Sequence, residues 1–221
     1  MGMVRMIRTK SYSVGFKVLI SFFALMGISL QTGLFTGEID LSVFRMFTNI
    51  SNLFCAIYFI YAASVIAADK RRDGGSSPLP IIKGICTMSI TLTGIVASAV
   101  IASEFDIGTP EGIATILLHI ITPTMIMADW LIFDRKGRIK SFFPLIWLVA
   151  PFSYFAYIMV SAQYISKSVE LRFPYPFLDY ELIGIPMLIG VVITITFFYS
   201  LIGYLCYFID NKMGKLEKKQ S

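Results

Sequence analysis

Six long apolar runs constrain this chain more than any other feature of its sequence. Crossing ~30 Å of hydrocarbon takes about 20 helical residues, and a backbone in hydrocarbon must satisfy its own hydrogen bonds within a helix. The composition agrees, since 56% of the residues are apolar and only 15% are charged. The runs occupy residues 14–35, 44–68, 80–102, 113–133, 141–162 and 183–209. We therefore predict an all-α, polytopic membrane protein, a bundle of six transmembrane helices that forms a single domain over residues 1–221.

The basic residues between the runs predict the orientation of the chain, because Lys and Arg accumulate in cytoplasmic loops. Six spans place both termini on one side, and the segments on that side hold 16 of the 19 basic residues. These are Arg5, Arg8, Lys10, Lys17, Lys70, Arg71, Arg72, Lys83, Arg135, Lys136, Arg138, Lys140, Lys212, Lys215, Lys218 and Lys219. Both termini are predicted to be cytoplasmic, in a multi-pass protein of the cell membrane. These short segments account for the net charge of +5, and no nucleic-acid partner is predicted.

Several kinds of chemistry are not supported by the sequence. It has no GxSxG, GxxxxGK[ST] or HExxH motif, and a single histidine cannot form a bis-histidine haem or His-rich metal site. Cys55, Cys86 and Cys206 all lie inside apolar runs, which predicts buried thiols and no disulfide framework. No cofactor and no metal site are predicted.

The second run carries an unusual polar stripe at its start, in "FRMFTNISNLF". Arg45, Thr48, Asn49 and Asn52 follow i, i+3, i+4, i+7 spacing, so one helix would present them on one face. Such a face must contact protein or water and not lipid. Hydrogen bonding between helices is a sufficient reason for such a stripe, and a binding or catalytic site is the alternative.

The fourth run contains His119, the only histidine. Thr109 before "PEG" is a plausible helix cap, which places His119 about 13 Å along the helix at 1.5 Å per residue. With a helix start at Asp40 or Ser42, Thr48 lies about 9 Å along its own helix by the same rise. The two residues are thus predicted at similar depths in the outer leaflet, although His119 alone would also suit a packed core histidine.

A hydroxyl becomes a nucleophile when a neighbouring base removes its proton, and neutral imidazole is the usual base near pH 7. Thr48 with His119 is such a pair, and Asn49 or Asn52 is a candidate donor to an oxyanion. Asp129 lies about 15 Å further along the helix, too far to orient the imidazole, and is expected to pair with Arg135, Arg138 or a neighbouring helix. Other orienting carboxylates to consider are Glu104 and Asp106.

The segments "FRMFTNISNLF", "LLHIITPTMIMADWLIFDRKGRIK" and "PYPFLD" resemble, in this order, those of bacterial six-span relatives of the androgen-induced protein and androgen-dependent TFPI-regulating protein family. The resemblance extends over about residues 14–210. It implies a membrane threonine hydrolase of fatty acid esters of hydroxy fatty acids, with Thr48 in "FTNISN" as the essential threonine and His119 in "LLHIITP" as the essential histidine.

Together these observations favour an intramembrane lipid ester hydrolase that takes its substrate from the bilayer. Thr48 and His119 are the catalytic candidates, and Arg45, Asn49 and Asn52 are candidates for substrate binding or for the oxyanion. The alternative is a protein that binds or transports a lipid or small amphiphile without catalysis, in which Arg45 recognises an anionic headgroup. A scaffold without a cavity at Thr48 is the third possibility.

Overall fold

The computed structural model describes residues 9–75, 77–100, 108–166 and 172–220. All regular structure in these ranges is helical, which confirms the all-α prediction. The main helices are α1 (Lys10–Gln31), α2 (Phe47–Ala68), α3 (Pro80–Val100), α4 (Pro110–Ile132), α5 (Phe143–Ser161) and α6 (Ile185–Gln220). Shorter helices span Leu41–Arg45, Pro176–Leu178 and Tyr180–Ile183.

Five of the helices are long and apolar enough to cross a membrane, namely α1, α2, α4, α5 and α6. Within the residues whose side chains are described, the apolar part of the remaining helix, α3, is Pro80–Val96, which is shorter than a full span. The predicted count of six spans is therefore not confirmed. α6 also differs from the prediction, because its helix continues to Gln220 with a polar last stretch beyond residue 209.

Small residues let the central helices approach closely. Ala24 of α1 and Ala56 and Ala62 of α2 are fully buried, and the Ser21 hydroxyl donates to the Ala56 carbonyl across the α1–α2 contact at 3.0 Å. Small side chains with occasional interhelical hydrogen bonds are typical of helices that pack in lipid. Of the five long helices, α2 is the most buried and α6 the least, because 50% and 11% of the residues in their apolar stretches are buried. α6 therefore lies at the edge of the bundle.

The four segments that carry most of the basic residues meet at one end of the bundle, here called the charged end. Lys10 at the start of α1 donates to the Asp69 carbonyl at 3.1 Å. The backbone amide of Arg135 donates to the Gly75 carbonyl at 3.2 Å, and that of Gly137 to the Asp210 carbonyl at 3.0 Å. The start of α1, the connections after α2 and α4, and the last part of α6 therefore lie together.

A buried ion cluster joins three helices at the charged end. The Asp129 carboxylate on α4 accepts from Lys17 of α1 at 2.7 Å and from Lys83 of α3 at 2.5 Å. Lys83 also pairs with Asp134 at 2.6 Å. Asp129 thus pairs with lysines of neighbouring helices instead of Arg135 or Arg138, because those arginines lie in the connection that turns away after α4. The two lysines and two aspartates balance one another in charge, as buried ions require.

The three cysteines are free and buried. This confirms the prediction of buried thiols without a disulfide framework.

Candidate active site

The start of α2 places Thr48. Asp40 caps the short helix Leu41–Arg45 by accepting from the Ser42 backbone amide at 2.8 Å, and Met46 is extended, so α2 begins at Phe47. The predicted start at residue 44 was therefore wrong by three residues. Arg45 belongs to the preceding turn, so helical spacing does not place it on the α2 face that carries Thr48.

A π-helical segment, Leu117–Ile121, interrupts α4 around His119. The backbone amide of Thr122 donates to the Leu117 carbonyl. In a regular α-helix it would donate to the Leu118 carbonyl instead. Pro123 has no N–H to offer to the next carbonyl. The Leu118 carbonyl is therefore left without a helical donor, and such single π-turns are frequent at functional sites.

Asn52 supplies the missing donor and so joins α2 to α4. Its Nδ2 donates to the Leu118 carbonyl at 3.2 Å and to the Thr48 carbonyl, one turn earlier on α2, at 2.9 Å. Asn52 is fully buried. One amide therefore contacts both the π-helical segment that carries His119 and the helical turn that carries Thr48.

Gly27 of α1 lets the π-helical segment approach from the other side. A Cβ at this position would lie 2.7 Å from Cδ2 of Leu118, closer than packed atoms tolerate. The absence of a side chain at Gly27 therefore sets the depth at which α4 sits against α1.

Thr48 and His119 meet across the α2–α4 contact. The Thr48 Oγ1 lies 3.2 Å from Nε2 of His119, and Nδ1 of the same ring lies 3.0 Å from the Thr115 carbonyl one turn earlier. A carbonyl only accepts, so Nδ1 carries the proton, and Nε2 of the neutral ring is then the acceptor for the Thr48 hydroxyl. This is the tautomer that a general base needs. The Thr115 carbonyl therefore orients the imidazole of His119. Glu104 and Asp106, which were considered for this role, lie outside the described residues.

Both side chains open into an apolar cavity of about 420 Å³, within the usual size range of ligand pockets. No Asp, Glu, Lys or Arg is among the described residues that line it. Within the described ranges, α6 packs closely on Phe143–Trp147 of α5 but not on Val149–Ser161, and the cavity lies where they separate. The lining residues are Phe47, Thr48, Leu92, Thr93, Val96, His119, Pro151, Phe152, Tyr154, Phe155, Tyr175, Pro176, Phe177, Leu178, Val192, Ile195 and Thr196.

The other three residues singled out in the sequence do not line this cavity. Arg45 donates to the Arg172 carbonyl at 2.7 Å and to the Ser161 hydroxyl at 3.2 Å. Asn49 donates to the Val43 carbonyl at 2.8 Å, and Asn52 makes the two bonds described above. Their donors hold backbone segments together, which is the interhelical role that polar stripes commonly have.

Tyr175 lines the cavity and was not predicted as a site residue. Its ring stacks on Phe177 at 5.2 Å between centroids, and its phenol interacts with the Thr48 side chain. Burial raises the pKa of Tyr175, which keeps the phenol protonated. The prolines and aromatics of "RFPYPFLD" are typical of a rigid segment, but sequence spacing does not indicate that this segment folds over the start of α2.

Among the described residues, no three His, Cys, Asp or Glu side chains come together in a way that would hold a metal ion. Comparison of the chain with protein-family models, with curated proteins and with solved structures found no match.

Proposed function

We propose that the chain is a multi-pass membrane protein that hydrolyses lipid esters, with Thr48 as the nucleophile and His119 as its base. The observation that carries this proposal is the 3.2 Å contact between the Thr48 hydroxyl and Nε2 of His119, in the tautomer that accepts a proton, at the wall of an apolar cavity. A packed core histidine needs a partner, but it does not need an adjoining cavity of this size.

The reaction follows from the positions of the two groups. His119 Nε2 takes the hydroxyl proton as Oγ1 of Thr48 attacks the ester carbonyl. The protonated imidazole then gives that proton to the departing alcohol oxygen, and an acyl-threonine remains. Water, deprotonated by the same nitrogen, attacks the acyl carbon. The bond from that carbon to Oγ1 of Thr48 then breaks, the fatty acid is released, and the imidazolium returns its proton to Oγ1.

The cavity wall favours an uncharged, apolar acyl group as the occupant. The described lining offers aromatic and aliphatic side chains and no charged one, so a bound phosphate or carboxylate near Thr48 would lose its hydration without a cation to pair with. Fatty acid esters of hydroxy fatty acids, or related lipids with the charged end held outside, fit this wall. The proposed entrance from the bilayer is the gap between α6 and Val149–Ser161 of α5.

The orientation is part of the proposal. The charged end faces the cytoplasm, with both termini there, because it carries most of the basic residues. The Thr48 end then lies in the outer leaflet. Reagent accessibility of single cysteines placed at the termini and at Leu34, in membranes of known sidedness, tests this assignment.

The function is tested with purified protein in lipid–detergent micelles and a panel of long-chain esters, with fatty acid release measured by mass spectrometry. Thr48→Val should abolish turnover, and His119→Ala should lower it by about 10²–10⁴-fold, the usual contribution of a general base. Thr93→Val is the matched control, because Thr93 lines the same cavity but its hydroxyl donates to the Ser89 carbonyl at 3.2 Å.

Full turnover in both site variants would overturn the mechanism. Recovery of intact ester after long incubation with the wild-type protein, with binding that survives Thr48→Val, would instead support a binding protein without catalysis. Arg45 does not favour that alternative, because its guanidinium is already bonded to Ser161 and to the Arg172 backbone.

A further inference from the structure

The proposed hydrolysis needs a donor for the negative charge that develops on the carbonyl oxygen. Asn49 and Asn52 do not supply it, since neither lines the cavity and their amides donate to backbone carbonyls. Other hydroxyls on the cavity wall are also engaged. Tyr154 donates to the Arg45 carbonyl at 2.8 Å, and Thr196 donates to the Val192 carbonyl at 2.7 Å.

Tyr175 is placed differently from these hydroxyls. It lines the cavity together with Phe47, Thr48 and His119, and its phenol lies near the Thr48 side chain and the backbone of Phe47 and Thr48, in the first turn of α2. The backbone amides of a first helical turn have no partner within the helix, and no side chain at Met46 caps them. The phenol therefore sits where the nucleophile and the positive end of a helix dipole meet.

The ring of Tyr175 is held in this position by its neighbours. It stacks on Phe177 with an angle of 10° between the ring planes and meets Tyr154 edge-on at 6.2 Å between centroids. Tyr154 in turn packs on Phe47 at 5.1 Å. An aromatic side chain fixed in this way loses little further entropy when it donates to a substrate.

We propose that Tyr175 is a catalytic residue that donates its phenolic hydrogen bond to the carbonyl oxygen of the ester as Thr48 attacks. This inference rests on the proposed hydrolase function. As the bond from Oγ1 of Thr48 to the carbonyl carbon forms, the carbonyl π electrons move to oxygen, and the Tyr175 O–H donates to that oxygen. The phenol keeps its proton throughout. The electrons return when the bond to the alcohol oxygen breaks, and that oxygen takes the proton from His119.

A phenol that lies near the nucleophile on the wall of the same cavity is within a short movement of the atom that the nucleophile attacks. Burial of the phenol, which raises the pKa of Tyr175, preserves the hydrogen needed for donation at neutral and mildly alkaline pH.

The test compares Tyr175→Phe with Tyr154→Phe, because both tyrosines line the cavity and each change removes one hydroxyl while keeping the ring. We expect Tyr175→Phe to lower kcat by about 10²–10³-fold, the usual effect of losing one oxyanion donor, with little change in KM. Binding of a non-hydrolysable ether analogue of the ester should be unchanged in Tyr175→Phe. Tyr154→Phe should lose less than about tenfold in kcat, because its hydroxyl serves the Arg45 carbonyl and not the reacting atoms.

A Tyr175→Phe loss of less than about tenfold would overturn the inference, since an oxyanion donor is worth more than that. Equal losses in the two variants, or a loss explained by weaker binding of the ether analogue, would also overturn it. Thr48→Val in the same assay separates the two claims. If Thr48→Val is inactive while Tyr175→Phe is fully active, only the role of Tyr175 fails. If Thr48→Val retains turnover, the hydrolase mechanism fails and the role of Tyr175 with it.

Discussion

Replacing Asn52 by Leu tests how α2 and α4 are joined. The change keeps the branched shape of the side chain but removes the Nδ2 donor that reaches the Leu118 carbonyl at 3.2 Å, and the larger volume of Leu is shared by the control variant below. That carbonyl has no helical donor, because the Thr122 amide bonds to Leu117 and Pro123 has no N–H. A buried acceptor that loses its partner costs about 1–3 kcal/mol. We expect Asn52→Leu to lower the free energy of unfolding by this amount.

The matched control is Asn49→Leu. Asn49 is also fully buried, but its acceptor, the Val43 carbonyl, also receives the Met46 backbone amide at 3.0 Å and stays satisfied in the variant. Denaturant unfolding in mixed micelles, followed by circular dichroism, measures both variants. Hydrolysis by Asn52→Leu should also fall, since Thr48 and His119 would no longer share a fixed contact. If Asn52→Leu is as stable as Asn49→Leu, the reasoning about the unpaired carbonyl is refuted.

Asp129→Asn should lower the free energy of unfolding by about 3–5 kcal/mol, because it leaves two buried lysines short of a counter-charge. Asp73→Asn, which weakens an exposed pair with Arg135 and keeps the side-chain oxygen that accepts from the Gly75 backbone amide, should cost at most about 1 kcal/mol. Equal effects in the same unfolding assay would contradict the burial argument. Gly27→Ala should cost about 1–3 kcal/mol by overpacking against α4. The control is Gly15→Ala on the same helix, which has nothing within 4 Å of the added Cβ and should be neutral or stabilising by up to about 1 kcal/mol. A stabilising effect of Gly27→Ala would show that α1 and α4 are not in close contact.

Local sequence signals were sufficient for the helices and for one cap. The apolar runs predicted where helices form, because length and hydropathy decide that locally, and Thr109 caps α4 by accepting from the Gly112 backbone amide at 3.1 Å as expected. Thr48 and His119 are in contact, but the depths inferred for them do not explain this, because α2 begins at Phe47 and not at Asp40 or Ser42.

The remaining features depend on contacts between distant segments, which the sequence does not reveal. Arg45 ends the short helix and bonds to Ser161 and to the Arg172 carbonyl, which are tertiary contacts that accompany the later start of α2 at Phe47. Pro123 removes one helical donor from α4, but the Leu118 carbonyl receives its hydrogen bond from Asn52 on another helix. The pairing of Asp129 with Lys17 and the fold of Tyr175 over Thr48 likewise join residues that are far apart in the chain.

The most direct test of the central claim is to identify the residue that a fluorophosphonate lipid probe modifies, using peptide mass spectrometry on the full chain. A hydroxyl activated by a neighbouring base attacks such a probe, whereas an ordinary threonine does not. The account predicts a phosphonate adduct on Thr48 in the wild-type protein and its loss in His119→Ala, with Thr93→Val labelled as the wild type is. Ester hydrolysis by a protein whose Thr48 stays unmodified, or whose adduct lies on another residue, would contradict it.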